Sequence, residues 1–317
     1  MCKISVIIPT LNAELSLPAI FSVLMNQSRR PDEIIVIDST SNDGTAMLCS
    51  QFPEVRFILI KRENFDHGAT RDFALRNSKG EFVLFLTQDA IPIEENYISR
   101  LIRPFEDEKV AMVYGRQIAQ EKATVTERLT REFNYPLKGH VRDSGDIAKL
   151  GIKAFFASNV CSAYRKSAYL AVGGFEKHII ISEDMIISAR FLNAGYKIVY
   201  QPEAAVYHSH HYTLRQQYSR NFDIGVCIAM HSDLFEDIKS ENEGGKMVKF
   251  VIGNLISKGY FLQTLYYCLE CAIKLLGYRR GLRYDSYKAC LIQKWTMNRN
   301  FWIQYLEDDF IKKVGIK

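Results

Sequence analysis

The first 90 residues alternate between short apolar strands and helices, and this alternation constrains the fold more than any other feature. Four β-branched, apolar runs cover residues 4–9, 34–38, 56–61 and 81–86. Helical spacing of apolar residues separates them over about 15–27, 45–51 and 69–77. Continuous apolar strands alternating with helices are typical of βαβ units, whose parallel sheet is covered on both faces. The pattern predicts an α/β fold with a mostly parallel sheet.

Polar residues follow three of these predicted strands at the point where each strand ends. In open α/β sheets, ligands bind beyond the carboxyl ends of the strands. The candidate ligand-binding residues at this edge are therefore Thr10, Asn12, Asp38, Thr87, Gln88 and Asp89.

Several familiar nucleotide and nucleophile motifs are missing from the sequence. No GxGxxG follows the first strand, which removes the usual support for a dinucleotide site. Neither GxxxxGK[ST] nor GxSxG occurs, which argues against a P-loop NTPase and an α/β-hydrolase. The acids at the strand ends are therefore the remaining candidates for a functional site.

Asp38 and Asp89 are the two acids at predicted strand ends. The polar stretch 38–45 reads as a turn and a helix cap, which explains Asp43 but leaves Asp38 free to accept hydrogen bonds from a base or a ribose. Asp89 follows a wholly apolar strand, where a hard cation could bridge phosphate oxygens. One acid alone is weak evidence for a metal.

Three further segments each allow a structural and a functional interpretation. Glu183 and Asp184 open a predicted helix, where acids either stabilise the positive helix end or include a general base. The stretch 67–71 places Gly68 and Arg71 at a predicted helix start, where the backbone can approach closely and a helix N-terminus with a cation could bind a diphosphate. Three histidines within residues 208–211 are more often surface residues, although one could complete a metal site.

The rest of the chain is less regular and then helical. Shorter strand candidates cover 112–115, 155–161, 197–200 and 204–208, and apolar residues recur at helical spacing from Leu214 onward. We find no repeat and no linker, so we expect one compact α/β domain with a helical C-terminal extension.

Cysteine usage and hydropathy bear on the cellular compartment. The seven cysteines are scattered, and the one close pair, Cys268 and Cys271, lies in an apolar stretch with no second pair that could complete a zinc site. The N-terminus has no signal-peptide core, and the apolar run 259–269 is far shorter than the roughly 20 residues of a spanning helix. We therefore expect a cytoplasmic, soluble or peripheral protein.

Charge is distributed unevenly along the chain. Residues 246–317 contain 13 Lys and Arg against 5 Asp and Glu, whereas the first 245 residues contain 28 against 31. A basic, aromatic-rich tail on a mildly acidic body suggests an anionic partner, either nucleic acid or a membrane surface, although a solvated helical face explains it about as well.

Taken together, these motifs resemble those of the family 2 glycosyltransferases. The resemblance covers about residues 3–215 and rests on the order and spacing of segments 9–12, 38–45, 86–90, 173–175 and 183–184, together with Arg71. It implies the GT-A fold, an α/β Rossmann-like nucleotide-binding half (1–110) fused to an acceptor half (111–215). Residues 216–317 would then form the helical, basic C-terminal extension.

Other segments look most like the bacterial rhamnosyltransferase branch of that family. They are 67–71, the Leu-Thr-Gln-Asp variant at 86–89, 208–210 and 276–279. The resemblance implies an inverting transferase that moves L-rhamnose from dTDP-rhamnose to a saccharide acceptor, typically lipid-linked, in O-antigen, capsule or other surface polysaccharide assembly. The enzyme would then lie on the inner face of the cell membrane, with 246–317 contacting anionic lipid.

The resemblance also assigns roles to individual positions. Asp184 matches the catalytic base, with Glu183 beside it, and Asp89 and His208 match positions that bind Mg²⁺ or Mn²⁺. The nucleotide-sugar-binding set is Pro9, Thr10, Asn12, Glu14, Asp38, Ser39, His67, Gly68, Arg71, Gln88 and Asn159. Two positions depart from the family pattern: Thr87 replaces the first acid of Asp-x-Asp, and Ser39 replaces the second acid of an Asp-Asp pair. With Thr87 at this position, metal binding would be weaker or would rely on His208.

Three alternatives stay open from the sequence. The same fold could use a UDP- or GDP-sugar, or the chain could be a sugar-nucleotide-binding subunit without turnover, as Thr87 suggests. A nucleic-acid-binding protein ranks last, because the aromatic residues of the tail recur at helix-packing spacing, so we expect no nucleic-acid partner. The oligomeric state is not predicted.

Overall fold

The computed structural model describes residues 2–235 and 243–305. Its central feature is one sheet, for which nine strands are described. In chain order they are β1 (Ile4–Thr10), β2 (Glu33–Asp38), β3 (Val55–Leu59), β4 (Phe82–Leu86), β5 (Ile91–Pro92), β6 (Val110–Ile118), β7 (His140–Arg142), β8 (Cys161–Arg165) and β9 (Lys197–Tyr207).

Helices cover the sheet and form most of the C-terminal part. They are α1 (Leu17–Met25), α2 (Thr45–Ser50), α3 (His67–Arg76), α4 (Tyr97–Ile102), α5 (Val125–Asn134), α6 (Ile147–Leu150), α7 (Lys166–Ala171), α8 (Glu183–Asn193), α9 (Leu214–Met230), α10 (Ser232–Phe235), α11 (Glu243–Ser257), α12 (Phe261–Gly281) and α13 (Ala289–Trp295). Of the described helices, none is long and apolar enough to cross a membrane.

The first four strands form the predicted parallel βαβ sheet. The spatial order is β3-β2-β1-β4-β8-β6-β9-β5, with β7 paired to β9. β1 pairs with β2 and β4 in parallel, and β2 pairs with β3 in parallel. β8 runs antiparallel to both β4 and β6, so the sheet changes direction beside β4. The predicted α/β, mostly parallel fold is confirmed.

Two apolar layers lie on the two faces of this sheet. Successive side chains of a strand point to opposite faces. On β1, Ile7 therefore joins one buried cluster while Val6 and Ile8 join the other, which also contains Leu17 and Phe21 of α1. This burial explains the continuous apolar runs in the sequence and fixes the strand ends, with their polar residues, at one edge.

One predicted strand in the middle of the chain is wrong, and two others are joined into a single strand. The segment 155–161 is not a strand: a 3-10 helix covers Gly151–Phe155, and β8 begins at Cys161. The candidates 197–200 and 204–208 are parts of one strand, β9, whose pairing with β6 shifts register between Gly115 and Arg116. A short apolar run does not by itself distinguish a strand from a buried helical turn.

Helices α9 and α12 pack so closely that their backbones touch. A Cβ atom at Gly277 would lie 2.4 Å from the carbonyl oxygen of Tyr218, and one at Gly281 would lie 2.1 Å from that of Phe222. From the α9 side, a Cβ at Gly225 would lie 2.3 Å from the carbonyl oxygen of Tyr278. Glycine is therefore required at all three positions for this crossing.

Two residues of the predicted membrane-binding tail face the protein interior instead. Tyr267 is buried with Val251 and Leu255 between α11 and α12. The Arg280 guanidinium lies 4.9 Å from the Trp295 ring centroid and donates to the Tyr218 hydroxyl. Both side chains therefore serve helix packing and are not free to contact a membrane. Residues 306–317 of this tail lie outside the described residues.

Candidate active site

The loops after β1 and β4 are held together by one side chain. The Gln88 carboxamide accepts from the Leu11 backbone N–H at 2.7 Å and donates to the Leu11 carbonyl at 3.0 Å. The oxygen and the nitrogen of the Gln88 side-chain amide thus both bond to Leu11. Because Asp89 follows Gln88 directly, this pairing fixes the acid at the end of β4 relative to the loop after β1.

A second set of hydrogen bonds joins the loops after β1 and β2. The Asn12 side-chain oxygen accepts from the Asn42 N–H at 2.9 Å, and the Asn12 backbone N–H donates to Ser41 Oγ. The Glu14 carboxylate accepts from the Gly44 N–H at 2.9 Å. Asn12 adopts a left-handed conformation with φ of 54°, and both Asn12 and Glu14 remain exposed. The two loops together form a polar rim at the ends of β1 and β2.

Three of the predicted nucleotide-binding residues are buried at the base of this rim. The Asp38 carboxylate accepts from the Thr10 hydroxyl at 3.0 Å and from the Ser41 N–H at 2.8 Å. Ser39 is 3% exposed, and its hydroxyl has no hydrogen-bond partner among the described residues. Asp38 therefore closes the turn after β2, while Pro9 is half-buried beside it in β1.

Asp89, His208 and His210 form a compact group of metal-ligating side chains. Asp89 Oδ2 lies 3.4 Å from His208 Nε2 and 3.5 Å from His210 Nδ1. One ligand atom from each residue falls within 4.8 Å of the others. The neighbouring histidines outweigh the effect of burial and hold the pKa of Asp89 well below its usual range. Carboxylate and imidazole are ligands that suit Mn²⁺.

The orientation of His208 supports a metal at this group. The His208 side chain is buried, and its Nδ1 contacts Gln117 Oε1 at 2.9 Å. Gln117 Oε1 also accepts from Arg131, and amide oxygens only accept, so Nδ1 carries the proton. The other nitrogen, Nε2, is buried, has no hydrogen bond among the described residues and faces Asp89. Metal-binding histidines are oriented in this way by their outer partners.

Glu183 and Asp184 lie at the start of α8, beside the end of β4. The Asn159 N–H donates to Asp184 Oδ2 at 3.1 Å, and the Asn159 side-chain amide donates to Glu183 Oε1 at 3.0 Å. Thr87, which follows β4, donates its N–H to the Val160 carbonyl. The carboxylate pair and Asp89 therefore flank the same strand end.

The two adjacent carboxylates have opposite pKa shifts. Burial and the neighbouring Glu183 charge raise the pKa of Asp184 to about 7. Burial also opposes ionisation of Glu183, but the Arg71 cation, His67 and the Asn159 amide outweigh it and lower its pKa. Arg71 Nη1 lies 3.4 Å from Glu183 Oε1, and both side chains are 8% exposed. The site thus holds one fixed carboxylate beside one that titrates near neutrality.

Comparison with known proteins shows the family of this chain. The family model for glycosyl transferase family 2 matches residues 5–173. The chain belongs to glycosyltransferase family 2. The O-antigen chain rhamnosyltransferases RfbN of Salmonella typhimurium and WbaN of Salmonella anatum are each 37% identical to this glycosyltransferase, over 98% of its length and 100% of theirs.

Solved structures share the fold of this glycosyltransferase. The mannosyltransferase PcManGT from Pyrobaculum calidifontis, solved with GDP-Man and Mn²⁺, has a TM-score of 0.60 at 14% identity, covering 90% of this chain and 88% of that one. S. aureus TarS 1–349 has a TM-score of 0.59 at 15% identity, covering 94% and 80%. At such low identity these matches establish the GT-A fold alone.

The start of α3, where the sequence predicts an anion site, carries a capping acid. Asp66 caps this helix, because its carboxylate accepts from the Ala69 N–H at 2.6 Å and from the Ile179 N–H at 3.1 Å. A carboxylate therefore already occupies the helix N-terminus that a diphosphate would need. Gly68 is required by a close approach inside the protein, since its Cβ would lie 1.8 Å from the Glu176 carbonyl oxygen.

Three other predicted donor-binding residues support the glycosyltransferase's carboxylate pair. Arg71 is 7% exposed and donates to the His67 carbonyl as well as facing Glu183. Burial lowers the pKa of His67 to about 4, so it is neutral at pH 7. The Asn159 amide oxygen accepts from the Ser162 and Tyr164 hydroxyls, so all its polar atoms are engaged within the protein.

One residue of the metal group, His210, and the residue that orients His208, Gln117, were not singled out from the sequence. His210 was one of three clustered histidines with no feature that distinguished it, and Gln117 is the next-to-last residue of β6. The alternating pattern of β9 carries the only signal, because it predicts that residues 208 and 210 point the same way beyond the strand end. Gln117 offered no signal in the sequence.

Proposed function

We propose that this glycosyltransferase transfers L-rhamnose from dTDP-L-rhamnose to a saccharide acceptor in O-antigen assembly, with inversion at the anomeric carbon. The observation that carries the proposal is 37% identity to two O-antigen chain rhamnosyltransferases over the whole length of both. The match includes the C-terminal helices as well as the nucleotide-binding half. A shared fold alone would not support the choice of sugar.

Asp184 is the proposed general base. It accepts the proton of the acceptor hydroxyl as that oxygen attacks the anomeric carbon from the face opposite the leaving nucleotide diphosphate. A base works best when its pKa is close to the working pH, and Asp184 meets this condition with a pKa of about 7. Glu183, held charged by Arg71, raises the pKa of Asp184, whose carboxylate accepts from the Asn159 and Met185 N–H groups.

Asp89, His208 and His210 are the proposed ligands of Mg²⁺ or Mn²⁺. When bound, such an ion supplies positive charge that stabilises the departing diphosphate. Gln117 holds the His208 ring so that Nε2 faces the site. The absence of the first acid of Asp-x-Asp, at Thr87, is thereby offset by two imidazoles, which favour Mn²⁺ over Mg²⁺.

The donor is proposed to lie across the rim formed by Asn12, Glu14 and the loop after β2. The exposed polar atoms of this rim, together with Thr10, Asp38 and Ser39 beneath it, face the strand ends where nucleotides bind in α/β sheets. The buried Ser39 hydroxyl has no partner within the described residues and is available to a base or a ribose.

A thermal-shift panel tests the donor. The protein is mixed with dTDP-rhamnose, UDP-sugars and GDP-sugars, each with and without Mn²⁺. We expect the largest stabilisation with dTDP-rhamnose plus Mn²⁺, because a ligand that binds only the folded state stabilises it by mass action. A shift with a UDP-sugar and none with dTDP-rhamnose would overturn the rhamnosyl assignment and leave the family unchanged.

Binding to the cytoplasmic membrane face is also proposed, through α12. Phe261, Leu262 and Leu265 of this helix are 65%, 80% and 69% exposed. Leu269 and Leu276 continue the same face at helical spacing, and the exposed Arg279 and Arg283 follow. An apolar face that ends in arginines suits an anionic lipid surface, to which each basic residue adds about 1 kcal/mol.

A further inference from the structure

The backbone adopts an unusual conformation immediately before the carboxylate pair. Ser182, which directly precedes Glu183 at the start of α8, is left-handed, with φ of 67° and ψ of 34°. The residue before an α-helix usually has an extended backbone, and few residues other than glycine adopt a positive φ. Such conformations are common at functional sites, where the surrounding structure enforces them. None of the steps proposed above involves Ser182.

The hydroxyl group of Ser182 does not explain this conformation. Serine often caps a helix through its side-chain oxygen, but the Ser182 side chain forms no capping hydrogen bond. The Ser182 backbone carbonyl instead accepts from the Met185 and Ile186 N–H groups at 3.1 and 3.2 Å, so this residue is already bonded to the first turn of α8. Position 182 therefore contributes a backbone conformation rather than a side-chain contact.

The chain is anchored on the side that precedes Ser182. The Ile179 N–H donates to the carboxylate of Asp66, the residue that caps α3, at 3.1 Å. The Ile181 carbonyl accepts from the Cys227 thiol of α9 at 3.1 Å. Two separate elements thus fix the backbone up to the residue before Ser182.

The carboxylate pair is anchored independently on the other side. Glu183 Oε1 lies 3.4 Å from Arg71 Nη1, and Asp184 Oδ2 accepts from the Asn159 N–H at 3.1 Å. Ser182 alone joins these two sets of contacts, so its dihedral angles decide whether both can form together. An extended backbone at Ser182 would point the first turn of α8 in another direction relative to residues 179–181.

We propose that the left-handed backbone of Ser182 places Asp184 beside Glu183 and makes Ser182 a positioning residue for sugar transfer. The proposal rests on the role of Asp184 proposed above and adds the residue that sets the location of its carboxylate. Two carboxylates repel each other, so Asp184 would move away from Glu183 if the junction relaxed to an extended backbone. The left-handed junction prevents this movement.

The other groups around the pair leave Glu183 as the charge that governs the titration of Asp184. His67 is neutral at pH 7, because burial lowers its pKa to about 4. Burial raises the pKa of the Cys227 thiol to about 12 and holds the pKa of the Tyr164 phenol well above its usual range, so both are uncharged. The titratable and charged groups on the elements around Asp184 are thus Glu183, Arg71, His67, Tyr164 and Cys227.

The titration of Asp184 tests the proposal without any substrate. Protein labelled with ¹³C at its aspartate carboxyl groups is titrated by NMR, and the Asp184 resonance is assigned by its loss in Asp184→Asn. We expect a midpoint near 7 in the wild type and the same midpoint in Ser182→Gly, because glycine adopts positive φ freely. Ser182→Val should lower the midpoint by at least about one pH unit, because β-branched residues avoid this conformation and Asp184 then moves away from Glu183.

Turnover provides a second readout of the same variants. With dTDP-rhamnose as donor, kcat of Ser182→Val should fall at least about tenfold while KM for the donor stays unchanged, because the base is misplaced and the donor rim is not. Ser182→Gly should retain kcat within about twofold, since the left-handed backbone is preserved. Ser182→Thr, which is also β-branched and keeps the hydroxyl, replaces Ser182→Val if that variant folds poorly.

His178→Val is the matched control. His178 is also left-handed, with φ of 55°, and is exposed, but it precedes the anchored residues 179–181. Its replacement should leave the Asp184 midpoint and kcat unchanged. A wild-type midpoint in the β-branched variant of Ser182 overturns the proposal, as does an equal change in His178→Val or Ser182→Gly. Near-normal turnover of Asp184→Asn would instead reject the proposed base, and it would not alter the NMR result.

Discussion

Two neighbouring carboxylates at the start of α8 show how burial and charge divide one site between two roles. Glu183 is paired with Arg71 and stays ionised, whereas Asp184, among the described residues, accepts hydrogen bonds from the backbone N–H groups of Asn159 and Met185 and forms no ion pair. Its charged form therefore lies beside the charge of Glu183 without a salt bridge of its own. The result is a carboxyl group with a pKa of about 7, raised from 3.8.

Replacing this group tests the proposed base. We expect Asp184→Asn to lower kcat by at least about 100-fold, the usual size of a general-base effect. Asp223→Asn is a matched control, because Asp223 is also buried with a raised pKa of about 7 but bonds Thr296 and Met297 near the C-terminus. Steady-state kinetics of both variants separates a catalytic from a structural loss. Near-normal turnover of Asp184→Asn would remove Asp184 from the role.

The pH dependence of turnover follows from the same pKa. A base must be unprotonated, so kcat should rise about tenfold per unit of pH below about 7 and level off above it. The charged groups that face Asp184 are Glu183 and Arg71, with the neutral His67 beside them. Removal of the Arg71 cation in Arg71→Met should move the midpoint to higher pH, while Arg71→Lys should move it less. A midpoint near 4 in the wild type would contradict the assignment.

At the scale of single residues, the sequence predicted positions better than it predicted roles. Asp89 and His208 lie 119 residues apart in the chain and were both assigned to the metal; the structure places Asp89 Oδ2 3.4 Å from His208 Nε2. Asn159 and Arg71 were assigned to the donor, yet their polar atoms hold Glu183. A motif records which residue occurs at a position, whereas its hydrogen-bond partner depends on segments that are distant in sequence.

At the scale of elements, the contact between α9 and α12 supports a stability prediction. We expect Gly277→Ala and Gly281→Ala each to lower the free energy of unfolding by about 1–3 kcal/mol, because the new Cβ would overlap a carbonyl oxygen of α9. Gly253→Ala on α11 is the control, since a Cβ there meets nothing within 4 Å. It should stabilise by about 0.5–1 kcal/mol through helix propensity. Urea denaturation measures all three, and a neutral Gly281→Ala would disprove the close packing.

Strands β1 to β4 were predicted nearly in full, whereas the runs predicted further along the chain cover only parts of β6 and β9. β1, β2 and β4 are buried on both faces, so each appears as an unbroken apolar run. The apolar pair Phe155 and Phe156 has the sequence pattern of a buried strand, but Phe155 enters the core from a 3-10 helix and Phe156, directly after that helix, packs against the same core. Helix α5 was not predicted at all, because only Leu129 of its ten residues is buried.

At the scale of the whole molecule, membrane binding is expected to depend on the exposed face of α12. Leu262→Glu/Leu265→Glu should lower binding to vesicles of phosphatidylglycerol by about tenfold or more, because two apolar side chains are lost and two negative charges are added. Met47→Glu is the control, since Met47 is 66% exposed on α2. Vesicle co-sedimentation measures both variants. Equal loss of binding in the control would show that net charge, rather than this face, governs the association.

The pairing of Gln88 with Leu11 has a consequence for thermodynamic linkage. The oxygen and the nitrogen of the Gln88 carboxamide both bond to the Leu11 backbone in the loop after β1. Because Asp89 follows Gln88 directly, its position is coupled to that of this loop. A nucleotide that orders the loop would then also reduce the freedom of Asp89. Linkage is reciprocal, so the nucleotide and the divalent cation should each tighten the binding of the other by the same factor.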